Sequence, residues 1–435
     1  LTERYEKALG DIFPELDHVI LTVTESGYWM VNPKLLEKLV GIVNTACNNN
    51  NMQLILRTFT HNTKQRDGIM EAIDNLSDDV IIMTKSVPQD WGMRGITNPV
   101  IGKIKRKKQY IEADTWGEYC CGQHVANCRI YTEFKPQYDL WIENNIQGFN
   151  VRVTRGRTSV LNNAQEANIW FLGYSTSGKT SDPDKALYDF SVNKFGNKAA
   201  KAMAEVLKHT GDVIAEGMYV KEFSFGKTAF ANPTFRTTRS IWCKPAIQGW
   251  EVVRPEGPKT AAPYPDDQDL YHANPFNNQL DPQNWDKSLI PLYQKVRRGD
   301  PQIIKEEVVA YNKALVLADN SLQKLEKIKD DLPDGGYEFF NFKLKENKCV
   351  LIFMSEMQLA WLKAERCQYT DRNEEIPRLK AEILVHLKNV QQLYDECKTE
   401  QIKVTWQGRK YQLQRFSSYD VLDTLAEFKR FWMLS

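Results

Sequence analysis

Five short apolar runs restrict this chain to an α/β fold built on parallel strands. They are HVILTVTES (18–26), MQLILRTFT (52–60), DVIIMTKSVPQDWG (79–92), QYIEADTWGEY (109–119) and GFNVRVTRG (148–156). All are rich in Val, Ile, Leu and Thr, the composition of strands. Between them lie helix-length stretches, NPKLLEKLVGIVNTAC (32–47) and QRDGIMEAIDNL (65–76), with apolar residues at three-and-four spacing. Alternation of that kind makes successive strands parallel, and puts functional groups at the C-terminal strand ends. Three of the runs end near a carboxylate, Glu25, Asp90 or Glu118, each followed within a few residues by glycine. Acids gathered from the ends of successive strands are how a barrel enzyme assembles acid and base chemistry.

The 435 residues carry a formal net charge of +1, which argues against an electrostatic grip on nucleic acid. The one basic cluster, KIKRKK (103–108), reads as a solvated approach to a strand. No run of eighteen apolar residues appears, so no membrane span is expected. Eight cysteines (47, 120, 121, 128, 243, 349, 367 and 397) lack the C-x-x-C spacing of a zinc site and read as buried free thiols. Cys120 and Cys121 adjoin Glu118, but only His124 is near enough in sequence to activate a thiol, so a nucleophilic cysteine is disfavoured. His61 and His124 are read as hydrogen-bonding pocket residues rather than ligands, and neither a metal nor another cofactor is expected. The chain opens on Leu1 with no signal or transit peptide, so its beginning is expected to be absent, with a cytoplasmic or periplasmic setting.

The pattern changes along the chain. Residues 1–180 carry the strand and helix alternation. Over 181–243 helices take over: DPDKALYDFSVNKFG (182–196) has the start signal Asp-Pro and the stop signal Gly, and a single helix is predicted for 197–217. Residues 244–290, dense in Pro, Asn, Asp and aromatics, read as a long irregular connection, with Trp250, Tyr264 and Trp285 suited to draping over another unit. In 291–435 three amphipathic helices (300–330, 338–368 and 373–398) are predicted to form a bundle, followed by a hairpin at 402–414 and a last helix over 418–432. Their apolar faces are explained by packing within the chain, and a homodimer through this region stays open.

Six motifs in order over 18–196 resemble the catalytic barrel of glycoside hydrolase family 67, the α-glucuronidases. VTESG (23–27) stands where that family has D-S-E-G, and LRTF (56–59) where it has W-R-x-F. DDVIIMTKSVPQDW (78–91) matches a motif that supplies a lysine and a catalytic Asp. RGITNPVIG (94–102), EADTWGEYCCGQ (112–123) and AQEANIW (164–170) match the three that follow. The resemblance implies a (β/α)8 TIM-barrel type fold of which the C-terminal five strands (4–8) are present, followed by an α-helical C-terminal domain. It departs from the family at Leu21, where a lysine would bind a uronate carboxylate, and in lacking the first three strands, since a five-stranded arc cannot close.

The implied chemistry is inverting hydrolysis of an oligosaccharide bearing an α-linked glucuronic acid. Glu25 would be the general acid, and Asp90 and Glu118 would activate water as the base. Inversion requires about 6.5–9.5 Å between acid and base carboxyls. Arg57 and Lys85 are candidates for binding a substrate carboxylate, or for neutralising the acids. Trp91, Trp116 and Tyr119 adjoin the acids and read equally as sugar platforms or as core. Glu112 and Asp114 alternate with Glu118 on one strand face and either line the same pocket or partner Arg57 and Arg152. Alternatives kept are a relative acting on another uronide or a neutral glycoside, and a glycan-binding homologue without chemistry.

Overall fold

The computed structural model describes residues 1–23, 27–59, 63–87, 98, 100–117, 125–155, 158–221, 223–224, 246–247, 289–415 and 421–432. After helix α1 (Thr2–Ile12) come five strands: β1 (His18–Thr22), β2 (Gln53–Thr58), β3 (Ile81–Lys85), β4 (Gln109–Asp114) and β5 (Gly148–Arg152). They form one sheet in the order β1-β2-β3-β4-β5, and every pairing is parallel. The short α2 (Gly27–Met30) and the longer α3 (Pro33–Asn49) cross from β1 to β2, and α4 (Thr63–Asn75) crosses from β2 to β3. In α3 the residues Leu36, Val40, Val43 and Cys47 recur at helical spacing, and they bury against Leu54, Leu56 and Ile82 of the sheet. The result is a five-stranded parallel half-barrel sheet with helices on its outer side. Crossovers of this kind leave the inner side to whatever the alternate residues carry.

The helical part begins with α5 (Lys135–Glu143), α6 (Glu166–Thr176) and α7 (Pro183–Phe195). Asp182 caps α7, its side chain accepting from the Asp184 N–H at 3.0 Å, and Gly196 ends it at φ +83°, a conformation that favours glycine. The helix predicted over 197–217 is instead two, α8 (Asn197–Lys208) and α9 (Thr210–Met218), because the chain turns at His209. There Thr210 Oγ1 donates to the Leu207 carbonyl and accepts from the Cys128 N–H, while Gly211 passes so close to the Cys128 carbonyl that a Cβ would lie 2.3 Å from it. A side-chain hydroxyl competing for helix carbonyls and a close crossing together end the helix.

Beyond α10 (Leu289–Arg297), α11 (Pro301–Lys327) and α13 (Ile376–Cys397) both pack on α12 (Gly336–Tyr369). α12 differs from the expectation of a charged outer face. Every residue from Phe353 to Leu362 is buried, because α9, α10, α11 and α13 surround it. The hairpin β6 (Gln401–Trp406) and β7 (Arg409–Gln414) turns through Gln407 and Gly408, both at positive φ as a tight two-residue turn demands. Trp406 pins it, stacking near Phe195 and Phe339 and donating from Nε1 to the Asn162 carbonyl at 2.8 Å. The last helix is α14 (Val421–Trp432). One apolar cluster runs from Ile111 and Ala113 of β4 through Phe171, Phe190 and Met203 to Phe339 and Trp406, so sheet and helices share a core. Most of 244–290, with Trp250, Tyr264 and Trp285, lies outside the described residues. No described helix is long and apolar enough to cross a membrane.

Beside the hairpin, Arg415 is buried and bonds Glu346, Glu400 and the Phe342 carbonyl. Lys343 lies nearby, and its burial pushes the ammonium down from 10.5 to about 8 against the pull of Glu346. A depressed lysine is less protonated in the folded than in the unfolded chain between about pH 8 and 10.5, so its contribution to stability grows across that window and is lost as pH falls through 8. Lys343→Met is expected to stabilise the protein at pH 7 by on the order of 2 kcal/mol and to flatten the rise between pH 8 and 10. Urea unfolding of both proteins across that range checks this.

Candidate active site

A two-residue period and a parallel register decide which side chains meet at the sheet. Leu54, Leu56 and Ile82 turn outward to the helices, together with Val19 and Leu21, whereas Ile55, Ile81 and Met83 cluster on the opposite side with Tyr110. The register places Ile20, Ile55 and Ile81 at one level, with Thr22, Arg57, Met83 and Tyr110 above them. Lys85, Glu112 and Asn150 form the next level, and Asp114 faces Arg152 at the last. Towards the C-terminal ends the inner face therefore changes from apolar to charged.

Arg57 on β2 reaches across β3 to Glu112 on β4. Its Nη2 donates to Glu112 Oε1 at 2.8 Å, and Nε donates to Oε2, so the pair is bidentate. Such a fork fixes the guanidinium in plane as well as in position, and uses two of its five N–H donors. Phe59 lies beside both cations, with Lys85 Nζ 4.0 Å and the Arg57 guanidinium 5.7 Å from its ring centroid. Lys85 and Glu112 are buried. Asn150 completes the level, its amide 4.0 Å from Met83 Sδ.

Asp114 works on the backbone that follows it. One oxygen accepts from the Trp116 N–H at 2.9 Å and the Gly117 N–H at 2.8 Å, and the other faces Arg152 Nη1 at 3.5 Å. Gly117 sits at φ +82°, where a side chain would strain the turn. Thr115 Oγ1 donates to the Arg152 carbonyl at 2.7 Å, closing β4 onto β5. Trp116 is buried at 2% exposure, its ring covered by protein.

The described structure thus gathers Arg57, Lys85, Glu112 and Asp114 on one face, with Arg57 paired to Glu112 and Arg152 to Asp114. Glu25, Asp90, Trp91, Glu118 and Tyr119 lie outside the described residues, as do Cys120, Cys121, His61 and His124. Phe59 and Asn150 were not singled out from the sequence. The signal for both was present: Phe59 falls two residues after Arg57, and Asn150 two before Arg152. Among the described residues no group of three His, Cys, Asp or Glu side chains could hold a metal.

No family model and no curated protein matches the chain. Two solved structures are similar to it. One is a GH138 enzyme targeting pectin rhamnogalacturonan II: TM-score 0.55, 10% identity, 91% of this chain and 47% of that one. Another is a family GH115 4-O-methyl-α-glucuronidase with specificity for decorated arabinogalactans: TM-score 0.39, 12% identity, 90% of this chain and 44% of that one. The chain spans less than half the length of either. The likeness to the GH138 enzyme is one of fold alone, and the family 67 barrel itself is not specifically matched.

The two acid and base pairs on the inner face differ in what their loss would do. Asp114→Asn keeps an acceptor for the Trp116 and Gly117 N–H groups but weakens the pairing to Arg152, whereas Asp114→Ala loses both. Urea unfolding is expected to show the Ala variant less stable than the Asn variant by about 1–2 kcal/mol, since two buried N–H groups lose their acceptor. Equal stabilities would assign the role of Asp114 to its charge alone.

Proposed function

We propose that this chain forms the catalytic part of a glycoside hydrolase that cleaves an α-linked uronic acid from an oligosaccharide with inversion. The observation that carries the reading is the half-barrel itself, with paired and buried charge at the C-terminal ends of its strands. By sequence Glu25 follows Thr22 of β1, Asp90 follows Lys85 of β3 and Glu118 follows Asp114 of β4, each within five residues. In this reading Glu25 donates the proton to the leaving oxygen, and Asp90 with Glu118 takes one from the attacking water. The negative charge of the pair raises the acid's proton affinity, so one carboxyl stays protonated while the others stay ionised. The fold likeness to the GH138 enzyme supports the glycosidase class.

Arg57, oriented by Glu112, is the cation we assign to the substrate carboxylate, with Lys85 adding positive charge to the same face. Leu21 packs with the outward apolar layer, on the side of β1 away from Arg57. Its difference from the family's lysine therefore carries little weight against a uronide. A filled barrel requires more than five strands. β1 and β5 are the sheet edges, and on the inner side of β1 Ile20 is 46% exposed, with Ile12, Phe13 and Leu16 also exposed nearby in sequence. We assign to those edges further parallel strands, completing an eight-stranded barrel.

A second substrate is favoured by the target of the GH138 enzyme, pectin rhamnogalacturonan II. One experiment separates the two. Proton NMR of 4-O-methylglucuronosyl xylooligosaccharides and of rhamnogalacturonan II fragments, each incubated with the protein in a complete barrel, is expected to show early release of β-anomeric uronic acid from the former. Glu118→Gln should abolish release, and Arg57→Ala should raise KM for the acidic substrate by about tenfold more than for a neutral glycoside, the scale of one charge-assisted contact. Early α-anomer would mean retention, and release from the pectic fragments alone would move the substrate.

A further inference from the structure

Residues 118–124, which include Glu118, are flanked by two stems, 115–117 and 125–129, and both stems are tied by buried side-chain amides. Asn168 on α6 is fully buried, and its Nδ2 donates to the Thr115 carbonyl at 3.3 Å and to the Asn127 carbonyl at 3.1 Å. Its Oδ1 accepts from the Arg129 N–H at 2.7 Å. A single amide thus holds the incoming and the outgoing stem together. Arg129, buried and paired with Glu133, reinforces this by donating from Nη2 to the Asp114 carbonyl. The outgoing stem has a second grip. Asn347, in the middle of the bundle helix α12 and 2% exposed, accepts from the Ala126 N–H at 2.8 Å and donates to the Ala126 carbonyl at 2.7 Å.

These bonds go beyond satisfying a loop. Ala126 lies more than two hundred residues from Asn347, and pairing both of its backbone groups with one side chain copies a strand pairing where no strand exists. We infer that Asn168 and Asn347 are positioning residues that fix the two stems between which Glu118 falls in sequence, so that the bundle helix α12 is part of the catalytic unit. This rests on the reading of Glu118 as catalytic. The physical reason is that a reacting carboxylate must be held to a fraction of an ångström, which buried and mutually supported amides achieve and a solvated loop does not.

Asn168→Asp keeps the size of the side chain and its acceptor towards Arg129, but removes both donations. Asn347→Asp likewise keeps the acceptor for the Ala126 N–H and loses the donation. Each variant is expected to lower kcat at least about tenfold with KM within about threefold, because geometry is lost and binding is not. Hydrogen exchange of the whole chain should speed at least about tenfold across 113–117 and 125–129 while α12 keeps its protection away from Asn347. A purely structural role would instead speed exchange throughout α12. Folded variants with unchanged kcat and unchanged exchange would overturn the inference. Should neither variant fold, the unaltered protein decides it: the amides of Trp116, Gly117 and Ala126 should exchange as slowly as the core of α12, and exchange as fast as an exposed loop would count against it. Glu118→Gln separates the two proposals. If that variant is as active as the parent, the catalytic reading falls while the exchange result stands; if it is inactive beside fully active Asn168→Asp, only the positioning inference falls.

Discussion

The parallel register of β2, β3 and β4 is the constraint on which the rest of the site depends. Side chains of a strand alternate between faces, so a slip of one residue would send Arg57 and Glu112 into the helix layer and Leu56 to the inner face. Nothing in the outer apolar layer could accommodate that exchange. The register is held because Leu54, Leu56 and Ile82 bury beneath α3 and α4, at roughly 2 kcal/mol or more for each fully buried aliphatic side chain. Outer packing, which has no chemistry of its own, thereby fixes the alignment of inner charge.

That inner charge is unfavourable to bury and is retained as pairs. Arg57 with Glu112 spans three strands, and Asp114 with Arg152 joins β4 to β5. Buried ion pairs add little net stability compared with an apolar filling, and removing one partner is far more destabilising than never having had either. Both pairs lie at one end of one face, beside Phe59 and Lys85. The same reasoning separates Arg415, which bonds Glu346 and the Phe342 carbonyl of α12 and Glu400 beside β6.

The bundle is joined to the sheet by more than apolar contact. α12 contributes Phe339 and Phe340 to the cluster that includes Ile111 and Ala113 of β4, and Trp361 to the cluster formed with α9 and α13. Asn347 falls between these two cores and commits its amide to Ala126. A polar residue buried in a helix is tolerated where it is bonded, so the position of Asn347 opposite Ala126 is tightly specified.

Local signals were enough to place most elements. The apolar runs 52–60 and 109–119 marked β2 and β4, Asp182 and Gly196 marked the ends of α7, and Gln407-Gly408 marked the hairpin turn. The pairing of like-spaced polar residues was legible as alternatives: Glu112 and Asp114 could be recognised as sharing a face, and Arg57 and Arg152 as their candidate partners. What the sequence could not decide was anything set by distant contact. The turn at His209 arises where the start of α9 meets the Cys128 carbonyl, and the all-round burial of α12 over 353–362 reflects four neighbours whose positions no local pattern encodes. Asn347 looks like an ordinary polar helix residue in sequence and Asn168 stands out only as part of AQEANIW, because their role exists only once α6 and α12 are folded against the stems beside β4. Periodicity and capping act through bonds and clashes within a few residues, and so are written in the sequence; the choice of partner for a buried amide or guanidinium is made by packing across the whole chain, and so was decided by the tertiary structure alone.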